Sequence, residues 1–148
     1  MIFMQNLPMS VKVAIAGDLS SYLPESYHNC KLIKHTKTAA IYALYALKNQ
    51  DMSLRPGLRH VDQGHEIEVS VWDIPLSEFA NFVMAIAAPL GLGNIQLSDG
   101  SWIKGFIFED YALDSAKDIS EYGSWQNYRE STISNTCFQC VCIGEIRH

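Results

Sequence analysis

The sequence predicts an α+β domain: a small, curled, mixed or mostly antiparallel β-sheet or barrel with one main helix and short helices toward the C-terminus. Three observations carry this. β-rich runs recur along the chain, a single long stretch switches to helical periodicity, and most connections are short enough for antiparallel pairing. At 148 residues, 48% hydrophobic and 18% charged, the chain has the size and composition of one folded domain rather than of a disordered polymer. That domain is expected over residues 11–130, with residues 1–10 and 131–148 as extensions.

Val11 to Ala16 alternates and stops at Gly17, so it reads as a first strand running into a tight loop, Gly17-Asp18-Leu19-Ser20-Ser21. Cys30 to His35 and Ile41 to Leu47 are the next strands. In the second, Ile41, Ala43, Tyr45 and Leu47 share one face, with Tyr42 and Leu44 on the other. Arg55-Pro56-Gly57-Leu58 reads as a turn, because proline fixes φ and glycine permits positive φ. Glu66 to Trp72 is the clearest strand, with Ile67, Val69 and Val71 alternating against Glu66, Glu68 and Ser70. From Leu76 to Ile86 the period changes: Leu76, Phe79, Val83 and Ile86 fall on one helical face, and Pro75 and Glu78 suit a helix start. Pro89 to Gly93 breaks that helix. Asn94 to Leu97 and Trp102 to Phe108 then flank the Asp99-Gly100 turn of a hairpin. Tyr111 to Ala116 and Ser124 to Arg129 are short helical segments, the second N-capped by Ser124. Phe138 to Ile143 reads as an appended strand or a loose tail.

Charge and composition exclude several functions. A formal net charge of -5 with no dense run of Lys or Arg leaves no source for phosphate-backbone binding, so nucleic acid is not an expected partner. The apolar stretches fall short of the roughly 20 residues of a membrane span. Met1 to Ser10 lacks a secretion signal, which makes the cytoplasm the expected location. The four cysteines are expected to be thiols in that reducing compartment. Cys137, Cys140 and Cys142 lack the second ligand pair of a zinc knuckle, and neither metal nor cofactor is expected. Trp72, Trp102 and Trp125 are read as core or interface anchors.

Several ordered motifs carry a resemblance. Thr38 to Leu47 followed by Arg55-Pro56-Gly57-Leu58, then Ile67 to Pro75, Ala88 to Gly93, Asp99-Gly100, Lys104-Gly105-Phe106, Asp118-Ile119-Ser120, Gly123 and Trp125 together resemble the allophanate hydrolase C-terminal domain. The resemblance implies a γ-glutamylcyclotransferase-like fold whose pocket lies beside the loop after the first strand. It also implies a place in urea or allophanate nitrogen metabolism, with a small anionic metabolite as ligand and decarboxylation of N-carboxycarbamate as the reaction. Two departures stand out. The family's Gly-Ala-His-Leu-like loop reads Ala16-Gly17-Asp18-Leu19 here, and the arginine often found between the two tyrosines of the third strand is Ala43.

Losing CO2 from a carbamate needs an oriented carboxylate and a proton for the departing nitrogen. Asp18 is the candidate acid, with a plain turn former as its alternative role. Gly17, Leu19, Ser20, Tyr42, Arg55, Pro56, Gly57, Pro89 and Gly91 are the candidate binding residues, Arg55 for a carboxylate. Glu68 reads as a solvated carboxylate, and His35, His60 and His65 as scattered. The catalytic lysine and serines of an amidase domain are absent, so allophanate hydrolysis by that chemistry is excluded. Three classes stay open: a decarboxylase acting on a carbamate-like anion, a non-catalytic small-anion-binding or docking module for a separately encoded amidase, and a γ-glutamylcyclotransferase-like enzyme. A homodimer is the other expected assembly.

Overall fold

The computed structural model describes residues 9–48 and 53–132. Its strands are β1 (Ser10–Ile15), β2 (Lys31–Lys37), β3 (Tyr42–Lys48), β4 (Leu54–His60), β5 (Glu68–Pro75), β6 (Leu90–Gln96), β7 (Trp102–Phe108) and β8 (Lys117–Asp118). The long helix is α1 (Leu76–Met84), and a C-terminal helix, α2, spans 125–132. The strands form one mixed sheet in the order β2-β5-β1-β7-β4-β3-β8, with β6 paired to β7 off this path. This is the curled sheet with few helices that the sequence predicts.

The sheet turns on β7. β6 covers one edge of β7 from end to end, antiparallel, so its other edge is shared by two parallel strands in succession. β1 takes Lys104 and Gly105, and β4 takes Ile107. The chain leaving β1 passes against β4, where Gly17 meets Pro56. Gly17 is required there, because a Cβ would sit 2.8 Å from Pro56 Cγ.

Arg55 to Leu58 is therefore strand rather than turn: all four residues pair with β3, from Leu47 to Leu44. Proline is tolerated because β4 meets β7 only at Leu58, so the missing N–H of Pro56 breaks no ladder on that side. Leu90 to Gly93 likewise belongs to β6 and pairs with Phe108 to Gly105. Helix α1 forms where its pattern predicts, but its buried stripe is displaced. Phe82 is 0% exposed, with Phe79 and Ile86 packed against the same core, while Leu76 and Val83 face solvent. The stripe thus runs at positions 79, 82 and 86, three and four residues apart, and Ile74 near the end of β5 is buried in the same core. Of the tryptophans, Trp125 is buried and Trp72 half-buried, whereas Trp102 is 61% exposed at the start of β7 and is no core anchor.

Buried polar groups lock the connections. The Thr38 hydroxyl, fully buried, accepts from the Ile67 N–H (3.0 Å) and donates to the Ala39 carbonyl (2.9 Å). The Ser120 hydroxyl donates to the Asp118 carboxylate (2.6 Å) and accepts from the Leu44 N–H (2.9 Å), tying the segment before α2 to β3. Ser120→Ala leaves the buried Leu44 N–H without an acceptor, at an expected cost of about 1–3 kcal/mol. Urea unfolding of wild type and variant checks this, and equal midpoints would refute it.

Cys30 is a free, buried thiol, and burial together with the carboxylates of Glu78 and Asp73 pushes its pKa up, away from reactivity. Cys137, Cys140, Cys142 and the Phe138 to Ile143 segment lie outside the described residues. Among the described residues no helix is long and apolar enough to cross a membrane.

Candidate functional site

An open groove of about 510 Å³ lies at the C-terminal end of β1. One wall is the loop Ala16 to Leu19. The floor comes from β2 and β5: Glu68, Ser70 and Trp72 follow the two-residue period of a strand onto one face, and His35 sits directly opposite Ser70 in the β2–β5 register. The Ser70 hydroxyl and His35 Nδ1 are 3.3 Å apart. The far wall is the first part of α2, where the Ser124 hydroxyl caps the helix by accepting from the Asn127 N–H at 3.0 Å. Trp125 is buried beneath it, and one turn later the Arg129 guanidinium lies 5.7 Å from the Trp125 ring centre. The groove thus collects one fixed cation (Arg129), one imidazole (His35), two carboxylates (Asp18 and Glu68) and the hydroxyls of Ser70 and Ser124.

The loop is built by local chemistry. Asp18 is exposed, and its carboxylate accepts from the Ser20 N–H at 3.0 Å, capping the short 3-10 turn Leu19–Ser21. The turn-forming role of Asp18 is therefore present in the structure, and the carboxylate still borders the groove. Leu19 is 1% exposed and anchors the loop by its side chain in the core.

The other expected site residues lie behind this wall. Pro56 packs on Gly17, Gly57 lies against Leu47, Leu90 and Phe108, and the Pro89 carbonyl accepts from the Glu109 N–H at 2.9 Å. Gly17, Pro56, Gly57 and Leu90 are thus consecutive neighbours that pack on one another rather than around the groove. Only Gly17, Asp18 and Leu19 line the groove, however; Ser20, Tyr42, Arg55, Pro56, Gly57, Pro89 and Gly91 do not. Gly91 is paired to Ile107 within β6. Tyr42 is buried, and its hydroxyl accepts from the Gln96 N–H at 2.9 Å, which gives it a structural partner. The Arg55 guanidinium stands 5.5 Å from the ring centre of Tyr22. The Tyr22 hydroxyl is buried with no hydrogen-bond partner among the described residues, and burial raises its pKa against the opposing charge of Arg55.

Sequence reasoning missed His35, Ser70 and Arg129 and set Glu68 aside. The polar face of the strand holding Glu68 and Ser70 was legible. The approach of β2 and α2 to it was not, because that depends on strand order. Among the described residues no group of three His, Cys, Asp or Glu side chains is arranged to hold a metal ion.

Comparison with known proteins places these features in a family. Residues 11–130 match the model of the allophanate hydrolase C-terminal domain. A urea amidolyase of Saccharomyces cerevisiae is 36% identical over 129 residues, covering 82% of this chain, and one of Lachancea kluyveri is 35% identical over 127 residues. The chain spans only 7% of the length of either relative. Among solved structures, Kluyveromyces lactis allophanate hydrolase superposes with a TM-score of 0.74 at 32% identity, over 83% of this chain and 21% of that one. A uropathogenic E. coli-specific protein superposes with a TM-score of 0.68 at 26% identity, over 83% of this chain and 98% of that one.

Proposed function

The chain belongs to the allophanate hydrolase C-terminal domain family, and on that premise we propose that it acts on a small carbamate-like anion in urea and allophanate nitrogen metabolism. The reaction is loss of CO2 from N-carboxycarbamate, carried out in the cytoplasm on a γ-glutamylcyclotransferase-like fold. The observation that carries this reading is the mixed lining of the groove beside β1. Such a substrate offers carboxylate acceptors at its ends and an N–H donor between them. Arg129 matches a carboxylate, whose two oxygens suit the guanidinium fork, and Asp18 or Glu68 accepts from the N–H. A groove lined by one sign of charge would fit less well.

One observation favours a second reading, that of a non-catalytic anion-binding or docking module serving a separate amidase. The Asp18 carboxylate is already occupied by the Ser20 N–H, which weakens its claim as the acid. A cyclotransferase-like activity has less support, since Ala87 to Leu90 after α1 supplies no glutamate base.

Malonate, a stable dicarboxylate, is the probe. Calorimetry is expected to detect its binding, and Arg129→Gln to weaken that binding by about tenfold, the scale of one charge-assisted contact. The protein is then coupled to an amidase that generates N-carboxycarbamate, and CO2 release is followed. Acceleration over the spontaneous rate supports the decarboxylase, malonate binding without acceleration supports the module, and absence of both overturns the reading.

A further inference from the structure

We propose that His35, held by Ser70, is the proton donor of the groove, delivering a proton from Nε2 to the departing nitrogen of the bound carbamate. The inference rests on the small-anion reading above and adds the residue that performs the step. Among the described residues His35 is the one imidazole lining the groove, and it reaches the floor from β2, not from the loop after β1. Its Nδ1 is engaged by the Ser70 hydroxyl at 3.3 Å, so Nε2 is the nitrogen left for a ligand. Cross-strand pairing fixes this arrangement: His35 and Ser70 are direct partners between two antiparallel strands, and a one-residue slip would send the imidazole to the opposite face.

The chemistry requires such a group. When the N–C bond of N-carboxycarbamate breaks, its electron pair stays on nitrogen, CO2 leaves, and nitrogen takes up one proton to give carbamate. Imidazolium supplies that proton and becomes neutral imidazole, which water reprotonates. Histidine is the side chain most often used to hand over a proton in this way. The charged groups around His35 are Glu68 beside Ser70 on β5, Asp18 on the loop and Arg129 on α2, with Lys37 two residues away on β2 itself.

The test uses the full chain with His35→Gln, His35→Arg and Ser70→Ala, each checked for an unchanged circular dichroism spectrum. In the amidase-coupled assay His35→Gln is expected to slow CO2 release about a hundredfold, the usual scale for a lost general acid. His35→Arg keeps a cation but holds its proton, so it should bind malonate and remain slow. His35→Gln should bind malonate within a few-fold of wild type, which separates the lost proton transfer from lost binding. Ser70→Ala should release CO2 more slowly than wild type but faster than His35→Gln, since it loosens the ring without removing it. Wild type active and His35→Gln equally active would overturn the role of His35 while leaving the small-anion reading intact. Wild type that neither binds malonate nor accelerates CO2 release would overturn that reading, and this one with it.

Discussion

Phe82→Ala is expected to destabilise the protein by about 3–5 kcal/mol, the range measured when a buried phenylalanine is cut back to a methyl group. Phe82 is fully buried and is the innermost residue of α1. Its ring meets Tyr22 edge-on at 6.1 Å and lies 5.6 Å from Phe106 and 6.0 Å from Phe79. Those neighbours belong to the loop after β1, to β7 and to α1 itself, so the cavity cannot close by moving one side chain. In a thermal melt the loss amounts to roughly 10 °C for a domain of this size. A shift under a few degrees would mean that α1 does not hold the core in this way.

Gly64→Ala is expected to be comparably damaging for a different reason. A Cβ at Gly64 runs into the Tyr42 nitrogen and the Ile41 carbonyl carbon, which are backbone atoms that no rotamer change can move. The approach is close because the connection after β4 folds back along β3: the Val61 N–H donates to the Ile41 carbonyl at 2.9 Å, and the His65 N–H to the Tyr42 carbonyl at 2.8 Å. Admitting a methyl group separates the two segments and breaks these bonds, at a cost of about 3 kcal/mol or more. Guanidinium unfolding and proteolysis of the 61–67 segment provide the measurement. A variant as stable and as protease-resistant as wild type would show that the two backbones are not in contact.

Strand existence was largely legible because alternation is a local property. Val69 and Val71 are buried and Glu68 exposed, as the pattern in β5 predicts, and Ser124 caps α2 as read. Three features were not legible, each because it is settled by tertiary partners. Arg55-Pro56-Gly57-Leu58 has turn chemistry, yet pairing with β3 overrides it. The α1 stripe moved because the helix can bury either of two overlapping sets of residues, and the core beneath it selects Phe82. At the site, the loop after β1 was found, but its companions His35 and Arg129 are distant in sequence and meet it only through the strand order β2-β5-β1 and the return of α2.

The shared edge of β7 also bears on how the chain reaches this fold during synthesis. β1 and β4 both dock on a strand that begins at Trp102, so the first half of the sheet must wait until Trp102 and the residues after it have been made. Until then the β3–β4 pair and the three-stranded β2-β5-β1 unit can form, but β7 is not yet present to join them edge to edge. Contacts of such wide sequence separation place the domain among slow folders, in the millisecond-to-second range typical of non-local β-topologies. The nascent chain therefore carries an unclosed sheet until β7 is made, and Lys31, Lys34 and Lys37 lie along edge strand β2, where their charge opposes edge-to-edge self-association.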